Sequence, residues 1–193
     1  MNSAIDFYYD FVSPYSYFAF AQRDEVRSRT GRPLDLKPVY VGAIMKEVGN
    51  VPTSITCKAK RAYLGQDVVR WAKKLCVPVQ SHPKFGLFST EPLIKAALRA
   101  GDDVEAFSVA AFDAVWVEQA PLDDLDAMSG WFAAKEPRFE LYWEERENMA
   151  AAHDERVAEA VAKGAFGVPY FSSDKGAFFG NDRIDFLVEA LGA

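Results

Sequence analysis

The chain has 193 residues, 50% of them hydrophobic and 26% charged, which excludes intrinsic disorder and predicts one domain, or one domain with a large insertion. Its net charge of -6 gives no long-range pull on phosphate backbones or anionic lipid, so neither nucleic acid nor a membrane surface is expected as a partner. No run approaches the roughly 18 apolar residues of a membrane span, and MNSAIDFYYDF lacks the basic and apolar regions of a signal peptide; a cytoplasmic location is the expectation.

Residues 4–12, AIDFYYDFV, are aromatic and β-branched and predict a buried strand. A helix follows, with Ser13 as its N-cap and Pro14 in its first turn, running to about Thr30, where Gly31 and Pro33 stop it. LDLKPV at 34–39 reads as a second strand, which Pro38 pushes to an edge or an end. Residues 58–75 space Tyr63, Leu64, Val68, Trp71, Ala72 and Leu75 as an amphipathic helix does. Further helices are predicted after Thr90 and Pro92, in DVEAFSVAAFDAVWVE, in PLDDLDAMSGWFAAK, and across the long segment FELYWEERENMAAAHDERVAEAVAK. Near the C-terminus come GAFGVPYF, a turn at SSDKG, a short strand at AFF, and a last helix capped by Asn181. The order is β-α-β, a strand-free helical block, then β-β-α.

Cys57 and Cys76 are too far apart for a C-x-x-C pair and are expected to be free thiols. His82 and His153 fall in no metal-binding spacing, so no metal is expected. The stretch Ser13-Pro14-Tyr15-Ser16 has the outline of a C-x-x-C motif with both thiols replaced by hydroxyls, which rules against dithiol redox chemistry. By itself Ser13 reads equally as a plain N-cap, Val168-Pro169 as a turn proline, Gly49-Asn50 as a turn, and Asn181-Asp182-Arg183 as a cap beside a surface ion pair.

Taken together, DFVSPYSY at 10–17, GN at 49–50, FGVPYF at 166–171 and FFGNDRIDF at 178–186 resemble the 2-hydroxychromene-2-carboxylate isomerases and their relatives, the kappa-class glutathione transferases. The resemblance implies an α/β, thioredoxin-like fold of the disulfide oxidoreductase A type. Residues 1–41 and 165–193 would form the thioredoxin-like domain, and 42–164 an inserted all-helical domain.

It also implies glutathione as cofactor and thiolate stabilisation by Ser13, with Tyr15, Asn50, Val168, Asn181, Asp182 and Arg183 contacting glutathione. A transferase or peroxidase, or a non-catalytic binding module, is the rival reading. Relatives often carry Thr after the motif proline, and Tyr170 here is a departure that bears on the neighbouring pocket. The implied partner is a small aromatic carboxylate, in a homodimer. Among Lys46, Lys58, Lys60 and Arg61, residues two apart share no helical face, and Lys58, with Lys46, is the expected carboxylate ligand.

Overall fold

Period-two alternation in strand β1, Ile5–Tyr9, sends Ile5, Phe7 and Tyr9 to one face and Tyr8 to the other, and all four are buried. The computed structural model describes residues 3–192; residues 1–2 and 193, the outer ends of the expected thioredoxin-like domain, lie outside the described residues. Strand β2, Leu34–Pro38, pairs parallel with β1, and β3, Tyr170–Ser173, pairs antiparallel on its other side. The last strand β4, Gly176–Phe179, completes a 4-stranded sheet in the order β2-β1-β3-β4. Pro38 is thus both on an edge strand and at its end, where its missing N–H costs nothing.

The helix expected over residues 14–30 is two helices, α1 at Pro14–Ala21 and α2 at Arg23–Thr30. The first is apolar and mostly buried, whereas the second is polar apart from Val26, so the axis turns at Gln22 where burial gives way to surface. Gln22 Nε2 and Arg23 Nη1 donate to the Phe18 and Phe20 carbonyls at the break. Gly31, at φ 63°, ends α2 in the left-handed conformation.

Between β2 and β3 the described chain forms only helices, namely α3 (Val41–Glu47), α4 (Thr53–Thr56), α5 (Lys58–Leu75), α6 (Glu91–Ala100), α7 (Val104–Trp116), α8 (Leu125–Lys135), α9 (Pro137–Glu144) and α10 (Ala150–Ala162). The long segment expected at 139–163 is broken by a 3-10 turn, Arg146–Met149, so that α9 and α10 pack separately. Helix α11, Ile184–Leu191, closes the chain.

One apolar core runs through sheet and helical block alike. Phe7 stacks on Phe171 at 4.5 Å, and Phe11 meets Phe112 of α7 edge-on at 5.0 Å. The Trp116 indole N–H donates to the Phe11 carbonyl at 2.8 Å, tying α7 to the segment that leads into Ser13. On the other side of the sheet Tyr8, Ile44, Ala160, Val168 and Tyr170 form a smaller core under α10. No helix is long and apolar enough to cross a membrane among the described residues.

Helix α2 is pinned to α7 by Glu105, which accepts from Arg23 Nε at 2.6 Å and Arg27 Nη2 at 2.7 Å. The Arg27 guanidinium, then Arg23, holds the Glu105 carboxyl at about 2 against an ordinary 4.5. Because the folded value is depressed, this stabilisation is present above the ordinary value and fades as pH falls towards about 2. With its side chain 35% exposed, the pair is worth about 1 kcal/mol. Glu105→Gln should lower the unfolding midpoint by about 2–4 °C at neutral pH, and the gap from wild type should close as pH falls from about 4.5 to about 2. A gap that stays constant through that window would contradict the assignment.

Candidate active site

A cavity of about 770 Å³ opens where α1, α3, α5, the start of α6, the loop before β3 and the 3-10 turn before the last helix converge. Ser13, Tyr15, Asn50, Val168, Asn181, Asp182 and Arg183, scattered from one end of the sequence to the other, all line it. Lys46 and Lys58 do not.

Ser13 has the extended backbone of an N-cap, and its Oγ accepts the Ser16 N–H at 3.2 Å. The hydroxyl proton of Ser13 has no acceptor among the described residues, and neither does the Tyr15 N–H in the first turn of α1. Both donors, together with the positive end of the α1 dipole, are available to an anion at the cavity. Ser16 is fully buried, and its Oγ accepts the Asp10 N–H at 3.4 Å. The Tyr15 phenol donates to Asp67 of α5 at 2.8 Å, and burial followed by that carboxylate pushes its pKa up.

Val168-Pro169 is a cis peptide, and among the described residues the Val168 N–H and C=O have no hydrogen-bond partner. Beyond them the chain is anchored, because the Pro169 carbonyl accepts from Gly180 N–H at 2.9 Å. Tyr170 turns its ring away from the cavity towards the smaller core, where its hydroxyl donates to the Lys163 carbonyl at 2.9 Å. Tyr170 is therefore not itself a wall residue, although its ring packs edge-on against Phe166, which is. Asn50 bridges two walls, with Nδ2 donating to the Phe166 carbonyl at 2.8 Å while Oδ1 accepts the Val51 N–H.

Asn181 is not the cap of the last helix. Residues Asn181–Arg183 form a 3-10 turn, which delays α11 to Ile184 and carries Asn181 inward to 4% exposure with no side-chain cap bond. Its buried Nδ2 has no partner. Asp182 folds back over Gly180, where an added Cβ would sit 2.5 Å from Oδ1, and pairs with Arg183 at 2.7 Å. Gly180, at φ 102°, tolerates both the close approach and the backbone angle.

Helix α5 presents Lys60, Leu64, Asp67 and Trp71 to the cavity at four-, three- and four-residue spacing. That phase separates the candidate cations. Lys60 is on the wall, and Lys58, two residues and about 200° away, is off it. On α3 the wall residue is Met45, not Lys46. Lys60 Nζ donates to Thr53 Oγ1 at 3.1 Å, and no carboxylate pairs with it among the described residues. Phe85 and Phe88, which sequence reasoning passed over in a helix-free stretch, supply aromatic walls with Trp71. Among the described residues no group of His, Cys, Asp and Glu could hold a metal.

The sequence matches the DSBA-like thioredoxin domain family over residues 4–192. The chain belongs to that family. Within it, a 2-hydroxychromene-2-carboxylate isomerase of Sphingobium xenophagum is 30% identical over 99% of both chains. Glutathione S-transferase kappa 1 of Caenorhabditis elegans is 26% identical, over 97% of this chain and 90% of its own. A solved 2-hydroxychromene-2-carboxylate isomerase superposes with a TM-score of 0.83 at 25% identity, covering 97% of this chain and 94% of that one. The DSBA-like frame accounts for the β-α-β and β-β-α units, and Ser13 and the cis Val168-Pro169 bond line one cavity.

Tyr170→Phe should cost about 1 kcal/mol, or roughly 2–4 °C in unfolding midpoint, through loss of the bond to Lys163. An unchanged midpoint would show that the phenol is not engaged there.

Proposed function

We propose that this protein is a cytoplasmic, glutathione-dependent 2-hydroxychromene-2-carboxylate isomerase, producing trans-o-hydroxybenzylidenepyruvate in aromatic-hydrocarbon catabolism. One observation carries the reading. A serine with an unused hydroxyl proton stands at the N-terminus of α1, where a redox relative needs a thiol, and it shares a cavity with the unpaired main chain of Val168. The isomerase relatives, similar over nearly their whole length, support it. Two exposed free thiols, Cys57 and Cys76, suit a reducing compartment.

The residues fit glutathione. The orphaned Val168 N–H and C=O suit an extended cysteinyl segment laid alongside, and the buried, unpartnered Asn181 Nδ2 suits a carboxylate. Asp182 would take the α-ammonium of the γ-glutamyl end, with Arg183 holding Asp182 in place. Asn50, through its remaining Nδ2 proton, and the Tyr15 N–H complete the contacts. The chemistry glutathione supplies when bound is reversible thiol addition to a conjugated double bond, which frees that bond to rotate.

Ser13 does the protein's part of that chemistry by donating its free proton to the bound sulfur, which favours the thiolate together with the α1 dipole. Lys60 receives the substrate carboxylate, as the cavity cation whose charge no protein carboxylate offsets among the described residues. Trp71, Phe85 and Phe88 hold the substrate's ring and exclude water.

The similarity to a kappa glutathione transferase favours one second reading, conjugation or peroxide reduction at the same site. Stoichiometry separates the two. Catalytic glutathione should support many turnovers of 2-hydroxychromene-2-carboxylate with none consumed, and glutathione used up one for one would favour the transferase. Ser13→Ala should lower kcat roughly ten- to hundredfold, the equivalent of one charge-assisted hydrogen bond of about 1.5–3 kcal/mol. Lys60→Gln should raise KM for the substrate about three- to tenfold while glutathione protects against unfolding as in wild type. If Lys58→Gln raises KM and Lys60→Gln does not, the carboxylate has been assigned to the wrong lysine.

A further inference from the structure

Asp10 stands at the end of β1, fully buried, and it is not on the cavity wall. Burying a carboxylate costs several kcal/mol unless its oxygens are satisfied, and no Lys or Arg pairs with it among the described residues. Donors from three separate segments satisfy it instead. Oδ1 accepts the Val12 N–H at 3.0 Å and the Thr90 hydroxyl at 2.6 Å, and Oδ2 accepts the Val41 N–H at 2.8 Å. Burial pushes the carboxyl's pKa up, and these bonds, led by Thr90, pull it back in part.

Two of the donors, at Val41 and Thr90, stand at the N-termini of helices. Val41 opens α3, whose N-cap residue Tyr40 offers no side-chain cap. Thr90 occupies the N-cap of α6, yet its hydroxyl makes no cap bond there and reaches Asp10 across 80 residues of sequence. The main chain of Asp10 is engaged as well, its carbonyl accepting the Ser13 N–H at 3.1 Å and its N–H donating to Ser16 Oγ. Ser16 N–H in turn donates to Ser13 Oγ, which closes a loop of bonds around the serine.

Val12, Ser13, Val41 and Thr90 all line the cavity. We propose that Asp10 is the positioning residue of the site: one buried carboxylate ties the Ser13 turn to the first turns of α3 and α6 and so sets where the Ser13 hydroxyl stands relative to the opposite walls. A knot that served folding alone could be loosened without consequence for a ligand bound to the folded protein. A positioning knot could not. The inference rests on the glutathione reading, since glutathione is the ligand that reports it.

The test is the Kd for glutathione, measured by calorimetry well below the unfolding midpoint, in wild type, Asp10→Asn, Thr90→Val and Thr90→Ser. Asp10→Asn replaces one acceptor oxygen by a donor and should weaken glutathione at least about tenfold. Thr90→Val keeps shape but loses the hydroxyl and should weaken it about three- to tenfold, whereas Thr90→Ser should stay within about twofold of wild type. Lower midpoints with wild-type Kd in Thr90→Val, and in Asp10→Asn if it folds, would reduce Asp10 to a structural knot and overturn the inference alone. No glutathione binding by wild type would overturn the glutathione reading and this inference with it.

Discussion

The site depends on β1 being central in the sheet and buried on both faces. Parallel pairing to β2 fixes one edge of the strand and antiparallel pairing to β3 fixes the other, with Phe7 opposite both Leu36 and Phe171. Sliding β1 by one residue would exchange Phe7 and Tyr9 with Tyr8 between two differently shaped cores. With register and face both determined, the strand delivers its next residues, Asp10 to Ser13, to one place beside the helical block. The Trp116 indole bonded to the Phe11 carbonyl extends that constraint into α7.

Around the cavity, polar groups divide into two sets. Asp10, Ser16, Thr90 and Asn50 are bonded internally and hold walls together. The Ser13 proton, the Tyr15 N–H and the Val168 main chain are left open on the cavity, and Asn181, whose buried Nδ2 has no partner, lines it too. A folded chain rarely leaves buried polar groups unpaired, and under the glutathione reading a ligand supplies the partners of these. The closed set holds the open set in position, and a ligand binding there meets donors that need little reorganisation.

The parts of this arrangement legible in the sequence were those set by local chemistry. Ser before Pro at a strand end marks the cap and Gly31 the end of α2, while the family resemblance carried by the four short motifs points to seven residues that line the cavity. What stayed hidden depends on helical phase or on long-range partners. Lys58 and Lys60 differ only in phase about α5, which composition does not fix. Asn181 has the residue type of a cap, but a 3-10 turn and an α-helix start from the same residue types. The direction of Tyr170 follows from a bond to Lys163, and the role of Asp10 from partners 31 and 80 residues away; no local pattern encodes either. Gln22 breaks a helix whose local signals run through it, because burial changes there.

The central claim is that Ser13 acts on the sulfur of bound glutathione and is more than an N-cap. Its most direct test is the ultraviolet thiolate absorbance of glutathione-saturated protein, followed against pH in wild type and Ser13→Ala. The account predicts that the thiol of bound glutathione ionises about one to two pH units higher in the variant, as loss of a hydrogen bond to a charged sulfur requires. Coincident titration curves at full occupancy would contradict it and leave Ser13 as a helix cap.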